Sequence, residues 1–364
     1  MDDFLDNARQ FLLLFCSPLI GCGSYFCVVK PIENNYRIRK DFKVKNVTTA
    51  QLPIEVIRKV DDLKEDEILK KYFGDVILEF VNVVKENISE DNLAIFYNNI
   101  SSLDSRTKNY GMAHKLIGSV TTGAYSLRKN VITLDNSNFA SKLTVYHELF
   151  HASSSIFIPD DGIEYSGFYQ YNDGKRFGEG INEGYTQYLT EKYFNDKNNA
   201  ESYLFETKVA EKVELLVGKD KMESLYFKAN LKGLIDCLKV YRSEKEVYEF
   251  INSLDFVNKY FHDGNLTSKS YKLIEEKMRD VYSFLIKSFY MKNAVDLANH
   301  GVYEVNVMDL IEKTSACISD YPLTYQSKKQ KLNVYDTELV EQAIDEVISE
   351  LDADCYVEEK EKSK

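Results

Sequence analysis

Hydrophobic and polar positions change rhythm several times along this chain. Between 53 and about 103, apolar residues recur at three- and four-residue steps, with Ile68, Leu69, Tyr72, Phe73, Val76, Ile77, Phe80, Val81 and Val84 on one helical face. Pro53 suits a first helical turn, and Gly74 can divide the run into two helices. Between about 115 and 135 the period shortens. Residues 124–127 and 131–134 flank Arg128-Lys129-Asn130 and predict a β-hairpin with a three-residue connection. Residues 135–138 form a turn cluster that can cap a helix opening near Phe139 or Ser141 and running to about Ile156. Pro159, Asp160, Asp161 and Gly162 end that helix, and a loop rich in Gly, Tyr and Asn extends to Gly180. A second helix is expected from near Asn182 to Phe194, and everything beyond 200 reads as helices. Val209, Val213 and Leu216 share a face there, Gly218 stands at a C-terminal cap, and Asp336 is an N-cap candidate before Val340, Ile344 and Val347.

The implied fold is predominantly helical α+β. Its parts are an apolar N-terminal segment (1–30), a mainly helical region (31–118), a core with hairpin and two helices (119–200), a helical region (201–350) and a charged tail (351–364). Residues 11–29 carry no charge, which barely suffices to span a bilayer, and Pro18, Gly21 and Gly23 weaken them as a helix. Leu19-Ile20-Gly21-Cys22 is similar to a lipoprotein signal, yet Asp2, Asp3 and Asp6 stand where an export signal has positive charge. The segment therefore admits three readings: a membrane anchor, a lipoprotein signal cut at Cys22, or a buried element of a cytoplasmic protein.

Composition narrows the function. With 44% hydrophobic and 29% charged residues the chain is an ordinary globular one. A net charge of −12 offers no basic field, which argues against nucleic acid as a partner. Six cysteines at 16, 22, 27, 237, 317 and 355 form no CxxC pair, and Cys237 and Cys317 read as buried thiols. Only five histidines occur, so two of them four residues apart are informative.

Those two lie in His147-Glu148-Leu149-Phe150-His151, an H-E-x-x-H sequence. On a helix, residues four apart project from one face, so both imidazoles can reach one metal ion. Glu148 can act on a water there without taking a coordination position. Val145, Leu149, Ala152 and Ile156 make an apolar stripe, with Thr144, His147, His151 and Ser154 or Ser155 on another side. A catalytic zinc needs a third protein ligand. Ser154 and Phe157 occupy the positions where one zinc-protease pattern needs Gly and His, and His114, His262 and His300 are isolated. Two acidic candidates follow: Glu179, in a Gly-flanked loop, and Glu183, on the second helix. Glu191, two turns beyond Glu183, reads as a solvated charge.

Together, His147-Glu148-Leu149-Phe150-His151 and Asn182-Glu183-Gly184 resemble the gluzincins, the thermolysin-like zinc metallopeptidases. The resemblance covers about 120–195. It implies one zinc per chain held by His147, His151 and Glu183, with Glu148 as general base for the hydrolysis of peptide or protein substrates. It also implies a zincin-like two-lobed domain, with an edge strand beside the active-site helix and a helical second lobe. Gln187 departs from the pattern, because the family has an Asp there to orient the first His. Related enzymes add a His or Tyr that stabilises the oxyanion; of the 26 tyrosines, Tyr165, Tyr169 and Tyr171 are candidates. The alternative is a zincin-like binding or scaffold protein with weak or no activity.

Overall fold

The computed structural model describes residues 73–100, 103–108, 123–135, 141–158, 162–172, 174–194, 203–261, 268–299, 314, 324–326, 331–333 and 337–362, all within the unit Val44–Lys364. The fold is predominantly helical α+β, with three small sheets among the described residues. The segment 11–29 with Cys22, the isolated histidines 114, 262 and 300, Cys317 and Asp336 lie outside those residues. Among the described residues no helix is long and apolar enough to cross a membrane.

Helices α1 (Asp75–Asn87) and α2 (Glu90–Ile100) realise the part of the first apolar rhythm that follows Gly74, which stands at φ 55° immediately ahead of α1, while Pro53, Ile68, Leu69 and Tyr72 lie outside the described residues. Strands β1 (Asp104–Lys108), β2 (Gly123–Ser126) and β3 (Val131–Asp135) form a sheet in the order β1-β3-β2. The expected hairpin is β2–β3, closed by a 3₁₀ turn and by Asn130 in the left-handed region at φ 48°. Asn130 accepts the Tyr125 hydroxyl at 2.9 Å and donates to the Asn99 carbonyl at 3.2 Å, which holds this turn. Strand β1 runs parallel to β3; its sequence Asp-Ser-Arg-Thr-Lys has no apolar alternation that could announce a strand.

Helix α3 (Lys142–Ser153) opens at Ser141, whose hydroxyl accepts the Thr144 N–H at 3.2 Å. It stops short of Ile156. The Ser153 and Ser154 hydroxyls donate to the Phe150 carbonyl and Ser155 to that of His151, capturing the last carbonyls so that the chain can turn away. Ile156 then lies in β4 (Ser155–Ile158), and the stretch expected as a loop is instead an antiparallel meander of β4, β5 (Ile163–Ser166), β6 (Tyr169–Asn172) and β7 (Lys175–Phe177). These strands are three or four residues long and rich in Tyr, too brief for a clear period of two.

Helix α4 (Glu179–Phe194) begins three residues ahead of Asn182. The cause is distant in sequence: Asp255 accepts the Gly178 and Gly180 N–H groups at 2.9 and 2.8 Å, capping the helix with a negative charge. After it come α5 (Leu204–Val217), α6 (Lys219–Phe227), α7 (Leu231–Leu238), α8 (Glu244–Phe261), α9 (Ser268–Asn299), a hairpin of β8 (Thr324–Gln326) and β9 (Lys331–Asn333), and α10 (Thr337–Lys362). That hairpin interrupts the all-helical expectation, and α10 carries helical backbone through the charged tail. Cys237 is half-buried rather than buried.

Helix α4 packs along α5 and α8 and against α3. A side chain at Gly184 would stand 2.2 Å from the Glu206 carbonyl oxygen, and one at Gly180 would stand 2.7 Å from that of Leu254. Hydrogen at these two positions is what lets α5 and α8 come so close. On the other side, α3 and α4 are joined by an aromatic cluster in which Tyr146 stacks on Phe194 at 3.8 Å and Phe80 meets Phe150 edge-on at 4.9 Å. Truncating a buried aromatic such as Phe150 typically costs about 3–5 kcal/mol, so the relation of the two helices is firmly held.

Candidate metal centre

The two helices bring three ligating atoms together. His147 Nε2 and His151 Nε2 lie 3.1 Å apart, and Glu183 Oε2 lies 3.2 and 3.3 Å from them. A tetrahedral ion at zinc's bond lengths of about 2.0–2.1 Å keeps its ligand atoms about 3.3 Å apart. The donor set therefore fits such an ion in both chemistry and spacing. Burial works to raise the Glu183 pKa, but the charge and hydrogen bonds of His151 and His147 prevail and hold it well below the ordinary carboxylate range. The imidazole side chains are each 10% exposed and the carboxylate 19%, so the group is reachable from outside.

Every residue of α3 from Val145 to Ser153 is buried, so the helix is not amphipathic. Its polar side is covered by α4. There Gln187 Oε1 lies 3.1 Å from His147 Nδ1 and accepts its proton, which leaves the Nε2 lone pair free for a metal. Gln187 Nε2 donates in turn to Glu191 Oε1 at 2.9 Å. Glu191 is therefore not a solvated charge but a partner of Gln187. The other imidazole has neutral company: His151 Nδ1 lies 3.3 Å from Asn182 Nδ2 and 3.5 Å from Thr186 Oγ1. Asn182 Oδ1 accepts the Phe168 N–H at 3.0 Å, so of the two neighbours Thr186 is the one able to take a proton from His151.

Glu148 sits beside the group, 7% exposed. Burial is the main cause that pushes its pKa up to about 7; Glu183 adds to the shift, while His147 and the backbone N–H of Tyr125 oppose it. That N–H comes from β2. The strand can lie this close because position 123 is glycine: a Cβ there would stand 2.7 Å from Thr144 Cγ2 and 3.1 Å from the Glu148 carboxylate.

Glu179, the rival ligand, is absent from the group and pairs with Arg176 at 3.2 Å in the first turn of α4. The tyrosines between the motifs also lie elsewhere. Tyr165 is buried with Ile156, Ile163 and Ala229, and Tyr171 lies under the Arg128 guanidinium. For Tyr169, whose pKa burial raises first, the charged neighbours are Arg176, Glu179 and Glu164 rather than the metal group. The tyrosine at the centre is Tyr203, which spacing from the motifs could not single out. Its ring stacks on His147 at 5.6 Å with planes 9° apart, and its backbone holds the left-handed region at φ 56°. The negative charge of Glu183, then burial and Glu148, keep its phenol protonated, hence a donor. Comparison with protein-family models, with curated proteins and with solved structures finds no match to this chain.

Proposed function

We propose that this chain is a zinc-dependent metallopeptidase of the gluzincin type. The observation that carries the reading is the convergence of His147 Nε2, His151 Nε2 and Glu183 Oε2 to mutual distances of 3.1–3.3 Å. Zinc, when bound, supplies a Lewis acid that polarises a carbonyl and acidifies water. Glu148 is the general base: it takes the proton of the attacking water and hands it to the leaving nitrogen. Its carboxyl is held by the Tyr125 N–H, so the base and strand β2 are fixed to each other. Among the described residues β2 is an end strand of its sheet, and an extended peptide can add to such an edge by main-chain hydrogen bonds. The Tyr203 hydroxyl is the donor for the developing oxyanion. The small sheets beside α3 and the helical remainder suit a zincin-like domain of two lobes.

Zinc content and hydrolysis of a mixed peptide library, measured on the full chain and on Glu148→Gln, test the reading. We expect about one zinc per chain in both and cleavage only in the parent. A chain that cannot be loaded with zinc, or a variant as active as the parent, overturns it.

A further inference from the structure

Residues 183, 187 and 191 follow one another at four-residue steps on α4, so one face of the helix presents a ligand, an amide and a carboxylate in a row. We infer that Glu191 is a positioning residue for the metal centre, acting on His147 through Gln187. This rests on the metal-centre reading above and deepens it.

An amide can face an imidazole in two ways. With Oε1 towards His147 Nδ1, the ring carries its proton on Nδ1 and turns a lone pair outward at Nε2, the atom that meets His151 and Glu183. With the amide turned over, Nε2–H would face Nδ1 and favour the proton on the opposite nitrogen, where it would block the ligand position. Gln187 alone has no reason to choose. Glu191 removes the choice, because its carboxylate accepts only a donor and holds the Gln187 amino group at 2.9 Å. Its negative charge also polarises the amide, and the chain of two hydrogen bonds strengthens the acceptor that His147 meets. The burial of Gln187, 7% exposed, keeps water from offering either amide orientation an easy substitute. Glu191 thus delivers at one remove the orientation and charge that a carboxylate at position 187 would deliver directly. The chain from His151 ends on no carboxylate: its Nδ1 faces Asn182 and Thr186, and Thr186 Oγ1 pairs with the Tyr226 hydroxyl at 2.7 Å.

The test is zinc affinity, measured by competition with a chelator of known strength, for the parent, Glu191→Ala, Gln187→Ala, the double variant and Glu191→Gln. Circular dichroism of the metal-free proteins checks that each is folded. We expect Glu191→Ala and Gln187→Ala each to weaken zinc about tenfold. The double variant should be no weaker than Gln187→Ala alone, because Glu191 then has nothing to hold. Glu191→Gln keeps an acceptor for the amide and should lose no more than about threefold. The inference is overturned if Glu191→Ala binds zinc as the parent does, or if its effect persists in full without Gln187. Should Glu191→Ala fail to fold, Glu191→Met, which keeps the length of the side chain but removes the carboxylate acceptor, measured with and without Gln187 reads the same coupling. A parent chain that takes up no zinc overturns the metal-centre reading itself, which is a different outcome from a parent that binds and variants that bind equally.

Discussion

Helix α4 serves two buried clusters of acidic side chains, and they are completed in opposite ways. In one, Glu214 accepts the Tyr185 hydroxyl at 2.7 Å, the Tyr188 hydroxyl at 3.0 Å and the Lys192 ammonium at 2.9 Å, while Glu223 receives Lys192 at 3.4 Å and the Tyr193 hydroxyl. The chain brings its own cation there, one ammonium shared by two carboxylates, so their hydrogen bonds are met from within. In the other, Glu183 meets two imidazole nitrogens, with the Glu148 carboxylate close by. Donor atoms converge, and among the described residues the groups that hold the Glu183 carboxylate in its charged form are the two histidines. A buried carboxylate closed by Lys and Tyr is architecture. One that meets two imidazole nitrogens at ion-coordinating distances could hold a cation from outside.

Removing the function of each cluster in turn separates them. The largest effect is expected from Glu148→Gln, which keeps the shape of the side chain but cannot take a proton: turnover should fall about 10²–10⁴-fold with zinc retained. Stripping zinc with a chelator should lower the unfolding free energy by about 4 kcal/mol relative to protein held at a thousandfold excess over Kd, as read by thermal or denaturant unfolding. Glu183→Ala should lose most of that gain, and a variant gaining as much as the parent would remove Glu183 from the ligand set. Lys192→Met attacks the other cluster. It leaves Glu214 and Glu223 without their cation and should cost about 2–4 kcal/mol of stability, with the affinity of the folded protein for zinc unchanged. If zinc affinity fell with it, the two clusters would not be independent. The smallest effect is expected from Gly123→Ala, whose methyl must displace Thr144 or Glu148: activity should drop about tenfold at unchanged zinc affinity.

Much of the centre was legible in the chain. H-E-x-x-H on a helix has one geometric outcome, because four residues make about one turn. The opening of a helix near Ser141 and the helical core residues Val209, Val213 and Leu216 follow from equally local rules, although the cap is Ser141 itself rather than the turn cluster 135–138. The meander between α3 and α4 was less visible, since strands of three or four residues are set by pairing with neighbours rather than by their own period. Glu191 was misread for a related reason. Its neighbours on the helix told nothing of the histidine one residue-layer away, and an acid two turns beyond a ligand looks the same whether it meets water or an amide.

What the sequence by itself determined is therefore what depends on near neighbours along the chain: the helical face with both histidines, the adjacent base, and an acidic residue on a following helix. The resemblance already prefers Glu183 to Glu179; only the tertiary structure decided which end of Gln187 faces His147, and that Tyr203 rather than a tyrosine of the intervening segment stacks on the site. The reason is physical. Local rules act through helix rise and capping over a few residues, whereas these choices depend on backbones brought together at Gly184, at Gly123 and at the Asp255 cap, by contacts that span tens of residues.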